Sequence, residues 1–214
     1  MLTDFWSRPE FYAYERACGD EPGTRARLLA NATWKTRVLE LTASEEELWK
    51  GVRSSYHSLI NKLAKDDDFS ISQTDPLHFG LARIVHYQAA GRETRSDESW
   101  RIQAQWLTVG CGRCWLATKL NDGIRRETSA VGFIYVLVTP PTSYFFSAAA
   151  LEPNVGHALQ WHAIKELKKA GVCWYELGYQ GEATHEKGRN IEFTKRAWGG
   201  VDIDIREHYA AHVA

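Results

Sequence analysis

One methionine stands against nine tryptophans in a chain of 214 residues. With so few flexible thioethers, the aromatic rings are read as core-building before they are read as ligand platforms. Charge of one sign is lacking as well. The 26 Lys+Arg and 27 Asp+Glu leave a formal net charge of −1, which removes overall charge as an argument for nucleic-acid binding and leaves only a local basic patch. No long hydrophobic run is present. The longest, Val131 to Val138, is far below the ~18 residues of a membrane span. The segment Met1-Leu-Thr-Asp-Phe-Trp lacks the basic-then-apolar order of a signal peptide. The expectation is a cytoplasmic protein with no membrane span.

Cysteine is scarce too, at positions 18, 111, 114 and 173. Cys111 and Cys114 form a single C-x-x-C, but no second ligand pair stands at matching spacing, and His208 and His212 lie far along the chain. No metal site is expected, and the thiols are read as reduced and mostly buried.

The length suits one domain with a small appendage and is ample for a core. Residues 1–35 are read as a helical or irregular arm, 36–207 as the main domain and 208–214 as a tail. Trp34 to Leu41 reads as a strand. Ser44 and Glu47 have capping-box spacing, opening a helix with Leu48, Val52, Leu59 and Leu63 as its buried stripe and Tyr56 at its centre. Lys50, Arg53, His57 and Asn61 share another face of that helix, either a solvated one or a cationic wall for an anionic ligand. Asp75-Pro76 predicts a second helix to Gly91 with Leu77, Leu81, Ile84 and Val85 inward. A third runs from Ser96 to Gly110 and buries Trp100, Gln103 and Leu107.

Strand character follows. Cys114 to Leu120, an Asn121-Asp-Gly turn, Ser129 to Thr139 and Tyr144 to Leu151 read as an antiparallel meander. A helix from Gly156 to Ala170 comes next, with Gly171 as its cap and Ala158, Trp161, Ile164 and Leu167 inward. A strand at 173–177, a polar loop at 180–190, a helix at 191–198 and a strand at 201–205 complete the order. This predicts an α+β sandwich with a mixed sheet. The strand–helix–strand crossover predicts that 144–151 and 172–178 lie side by side and parallel. A helix starting where two parallel strands diverge offers backbone amides to an oxygen ligand. Gly156 either opens that approach or is an ordinary loop-to-helix glycine.

The residues Gly156-His-Ala-Leu-Gln-Trp-His-Ala-Ile-Lys, then Gly171, then Tyr175-Glu-Leu-Gly178 resemble the helix-then-strand signature of FemAB-type acyltransferases, with Leu159, Trp161, Ala163 and Ile164 matching in spacing. Ile191-Glu-Phe-Thr-Lys195-Arg-Ala-Trp198-Gly199-Gly200 is similar to that family's isoleucine-to-glycine-glycine motif, and Arg53 to Lys62 to its upstream segment. The resemblance covers about residues 36–207. It implies a GNAT-like fold, with a mostly antiparallel sheet and a parallel pair splayed at the helix near Gly156, and an amide-forming reaction. The implied donor is aminoacyl-tRNA or acyl-CoA, with no tightly bound cofactor. The implied acceptor is a small-molecule amine of a phosphate-bearing envelope or natural-product precursor, and tRNA is a further partner for the first donor. Three departures stand out. Family members usually carry two such domains; Thr194 replaces the phenylalanine before the motif lysine; and Glu152-Pro-Asn-Val-Gly156 replaces a pyrophosphate loop.

Lys195 is the leading catalytic candidate, facing the cleft by resemblance and able to neutralise a phosphate, a carboxylate or an oxyanion. Strand alternation turns Glu176 away from Tyr175 and Leu177, where a half-buried carboxylate is a candidate base. His157 is the alternative base, with a helix start favouring its neutral ring, and Tyr179 is a candidate hydrogen-bond donor. His162 is expected to be exposed. Arg53, Tyr56, Lys62, Lys187, Arg189 and Arg196, with Gly156 and Trp161, are the candidate binding residues. A non-catalytic binding module is the alternative reading, and the sequence leaves the oligomeric state open.

Overall fold

Ser44 accepts from the Glu47 amide at 3.2 Å, and Glu47 accepts from the Ser44 amide at 2.8 Å, closing the capping box that the spacing predicts. The helix it opens is shorter than expected. In the computed structural model, which describes residues 9–30, 35–120, 128–180 and 186–205, Val52 turns to an extended conformation (φ −72°, ψ 136°). The Arg53 amide then bonds to the Ala197 carbonyl at 2.8 Å instead of continuing the helix.

The described elements run α1 (Pro9–Ala17), α2 (Thr24–Ala30), β1 (Lys35–Glu40), α3 (Glu45–Gly51), α4 (Ser54–Ala64), β2 (Phe69–Gln73), α5 (Gly80–Ala90), α6 (Asp97–Thr108), β3 (Gly112–Leu120), β4 (Thr128–Thr139), β5 (Thr142–Ala150), α7 (Val155–Lys169), β6 (Trp174–Gln180), α8 (Glu186–Arg196) and β7 (Val201–Asp204). The sheet order is β2-β3-β4-β5-β6-β1-β7. The expected mixed, mostly antiparallel sheet is present: β2–β3, β3–β4, β1–β6 and β1–β7 are antiparallel. Among the described residues the one parallel register joins β5 to β6 as the crossover predicts, pairing Thr142–Tyr144 with Trp174–Glu176. β6 then continues to Gln180 against β1.

The chain forms two compact units. The first holds the described residues up to Arg53, Thr139–Phe145 and those from Gly171 onward. Within it, the buried Glu15 carboxylate accepts from the amides of Gly23 (2.6 Å) and Arg25 (2.7 Å), fixing the turn between α1 and α2. The second unit holds Ser54–Val138 and Phe146–Ala170. There α7 buries Val155, Leu159 and Ala163 as well as the predicted Ala158, Trp161, Ile164 and Leu167. Gly132 on β4 makes this close packing possible, since a Cβ there would meet Val155 Cγ1 at 2.5 Å.

Several expectations are corrected. The break at Val52 separates Lys50 and Arg53 from His57 and Asn61, so no single helix face carries all four. The second predicted helix starts at Gly80, because Asp75 caps a turn instead, accepting from the His78 amide at 2.9 Å. Its inward face is Phe79, Ala82 and Val85, with Phe79 packed against Trp100 and Tyr135. Leu77 is therefore 86% exposed and Ile84 53%. The aromatic contact of Phe79 sets the helix phase, not the leucines. The short edge strand β2 (FSISQ) was not foreseen, although Phe69 and Ile71 alternate with Ser70 and Ser72. The second half of the expected loop at 180–190 is helical, as the start of α8. The turn at Asn121, His208, His212 and the tail at 208–214 lie outside the described residues, as do residues 181–185. Among the described residues no helix is long and apolar enough to cross a membrane, and no His, Cys, Asp and Glu group gathers as a metal-binding cluster.

Candidate active site

β6 carries a bulge. Arg37 pairs with Gly178 and Val38 with Glu176, leaving Leu177 as the extra residue, and Gly178 takes the left-handed conformation (φ +84°) that such a bulge needs. A Cβ at Gly178 would lie 3.3 Å from the Tyr144 ring and 3.5 Å from Lys195 Nζ, so the bare glycine is flanked by both side chains. All of these residues belong to the first unit.

Lys195 sits on the last turn of α8, half-buried, and its Nζ donates to the Tyr179 carbonyl at 3.0 Å. Burial pulls its pKa from 10.5 to about 8, against the opposing pull of the Glu176 and Glu192 carboxylates. It remains mostly cationic at neutral pH. Among the described residues its remaining N–H bonds meet no other protein acceptor. The end of α8 is held by the glycine pair that follows it. Gly199 and Gly200 both have positive φ (+82° and +77°). The Gly199 carbonyl accepts from Arg37 Nε at 2.7 Å, and the same guanidinium is bridged to Asp202 at 2.9 Å.

Glu176 is more deeply placed than the half-buried carboxylate expected, being 1% exposed. It accepts from the Thr36 hydroxyl at 2.5 Å. A carboxylate held this way favours the protonated form of Lys195 by charge. Tyr144, missed in the sequence, is the register partner of Glu176. Burial first, and then the Glu176 charge, push its phenol pKa up, so it stays a protonated donor. The predicted parallel pairing of 144–151 with 172–178 is the signal from which it could have been found. Tyr179 contributes its backbone oxygen, while its side chain is 42% exposed. Arg53 is exposed and lies over the Phe193 ring, 4.5 Å from its centroid.

In the second unit, His157 occupies the first turn of α7 and packs edge-on against the buried Tyr56 ring at 4.3 Å. Burial lowers its pKa and favours the neutral ring. The left-handed residue at this helix start is Asn154 (φ 70°), not Gly156. A Cβ at Gly156 would meet only Ala150 Cβ at 4.0 Å. Trp161 is buried and lines a cleft with α4 and β2. His162 lines the same cleft and is half-buried against Trp115, at 6.1 Å, which corrects the expectation that it is exposed.

The predicted residues thus fall into groups. Lys195, Glu176 and the Tyr179 backbone come together in the first unit, and His157 with Tyr56 in the second. Lys62 and Arg189 are exposed, and Arg196 is exposed beside Asp202 at 3.5 Å. Lys187 lies in α8, with its side chain outside the described residues.

The sequence matches no protein-family model, and no curated protein matches it. Solved structures do. FemX aligns with a TM-score of 0.62 at 12% identity, covering 84% of this chain and 63% of its own. L-PGS from Bacillus licheniformis aligns at 0.56 and 10% identity, covering 79% of this chain and 57% of its own. The C-terminal domain of a putative lysylphosphatidylglycerol synthetase from Agrobacterium fabrum aligns at 0.54 and 11%, with the same coverage. The chain spans less than two thirds of each. It has the fold of FemX, the fold that its motifs, by their resemblance to FemAB-type acyltransferases, led us to expect.

Proposed function

We propose that the protein is a cytoplasmic N-acyltransferase, with residues 36–207 as its catalytic domain. It transfers an aminoacyl group from aminoacyl-tRNA, or an acyl group from acyl-CoA, to the amine of a phosphate-bearing envelope or natural-product precursor. The observation that carries this reading is Lys195: a half-buried ammonium oriented by one backbone carbonyl and kept charged by Glu176. The FemX fold supports the same class of reaction.

The chemistry follows from the bonds exchanged. The acceptor nitrogen, having lost its ammonium proton, attacks the acyl carbonyl and forms the C–N bond. Negative charge gathers on the carbonyl oxygen, and the C–O or C–S bond to the donor then breaks. The Lys195 ammonium suits that developing charge or a phosphate of the acceptor. Tyr144, a protonated phenol beside Gly178, gives its proton to the leaving oxygen or sulfur and regains one from the attacking nitrogen, which sheds it as the amide forms. Glu176 acts as a positioning residue for the lysine charge, because its carboxylate is buried and engaged by Thr36. No step beside Lys195 is assigned to His157, which belongs to the second unit.

The test is mass spectrometry of the full chain incubated with a mixed pool of acyl-CoAs, charged tRNAs and amino-sugar nucleotides. The reading expects a new amide whose formation depends on Lys195. Absence of any new amide from every pairing supports the binding-module alternative instead.

A further inference from the structure

The second unit contains a cleft of about 220 Å³ between α4, β2 and α7. It is larger than the ~150 Å³ apolar cavity that accepts a benzene ring. Ile60, Leu63, Ala158 and Trp161 form its apolar floor, and all four are buried side chains. Phe69 and Ile71 of the edge strand form one wall. Two polar side chains of α7, His162 and Lys165, face the same space.

Those two groups differ in kind. Burial lowers the His162 pKa and leaves the ring neutral. Lys165 is half-buried, and no carboxylate among the described residues pairs with it. The adjacent acid, Glu166, is bridged to Lys169 at 2.7 Å instead. A cleft with an apolar floor and, at its side, a lysine that makes no ion pair among the described residues has a defined complement, an apolar body that ends in an anion.

We propose that this cleft is a binding site for a small aryl or branched-alkyl carboxylate, its body against Trp161 and its carboxylate paired with Lys165. The site is built wholly within the second unit and involves neither Lys195 nor Glu176. Its test reads binding alone, so its failure leaves the acyl-transfer reading untouched.

The experiment is isothermal titration calorimetry of the full chain with 3-phenylpropanoate and its neutral isostere 3-phenylpropanamide. The carboxylate is expected to bind at one saturable site, at least about tenfold tighter than the amide, as a charge-assisted contact implies. Lys165→Met should bring the carboxylate down to the affinity of the amide and leave the amide unchanged. Ala64→Trp places a ring in the cleft from an exposed position, where folding is little affected, and should abolish binding of both probes. Equal affinity for the two probes, no saturable heat, or a carboxylate affinity that survives Lys165→Met or Ala64→Trp overturns the assignment.

Discussion

Lys195→Met is expected to lower acyl transfer by roughly 10²- to 10³-fold, the usual loss when one donor to a developing oxyanion is removed. The same substitution should make the protein more stable at neutral pH. The sign follows from the ionisation. The folded-state pKa of about 8 lies below the ordinary 10.5, so below pH 8 the folded chain bears the cost of a half-buried charge. That cost is relieved as pH rises from about 8 to above 10. A full conversion of the shift gives about 3 kcal/mol, and partial exposure with solvent screening reduces it to about 1–2 kcal/mol. The melting temperature should therefore rise by roughly 2–8 °C at pH 7, and the gain should disappear above pH 10. Thermal denaturation at both pH values, beside a transfer assay, checks it. A variant that loses activity and stability together would mean that the lysine is structural.

Gly200→Ala is the second substitution with a large expected effect. Gly200 has φ +77°, and a Cβ there would sit 2.2 Å from the Val38 carbonyl oxygen, a backbone atom of β1 that cannot swing aside. Left-handed strain adds ~1 kcal/mol, and relieving the clash means moving β7 off its register, where Val38 faces Val201. A loss of about 3 kcal/mol or more is expected by urea denaturation. Gly156→Ala provides the contrast. Its Cβ would have 4.0 Å of clearance, and alanine favours the helix by up to ~1 kcal/mol. A stable Gly156→Ala protein that nonetheless loses transfer would assign that glycine to close approach of a ligand.

These two glycines show what was legible in the sequence. The Trp198-Gly199-Gly200 run was readable only as part of a motif, because the reason for it lies in β1, some 160 residues earlier, where Val38 and Arg37 meet the turn. Gly156 was readable as a helix start, yet the residue with positive φ is Asn154. Local signals were read well: the Ser44–Glu47 box, the Gly91 and Gly171 stops, the meander and the parallel crossover all depend on near neighbours or on chain handedness. The errors came where a distant partner decides. Phe79 sets the phase of α5 through Trp100 and Tyr135. The Ala197 carbonyl takes the Arg53 amide and so ends one helix at Val52. Of the candidate site, Lys195 and Glu176 were found together. Tyr144 and Thr36 were not singled out, because their proximity to Glu176 is a matter of strand register and not of any spacing along the chain.

The claim at the centre of the account is that the positive charge of Lys195 performs the chemistry, which makes the pH profile of transfer its most direct measure. With an acceptor identified by mass spectrometry, kcat/KM for the wild-type chain should fall as pH rises through about 8, where Lys195 loses its proton. In Lys195→Arg, whose guanidinium stays charged throughout, that alkaline limb should vanish. An alkaline limb of the same midpoint in both proteins, or transfer by Lys195→Met at the wild-type rate, would contradict it.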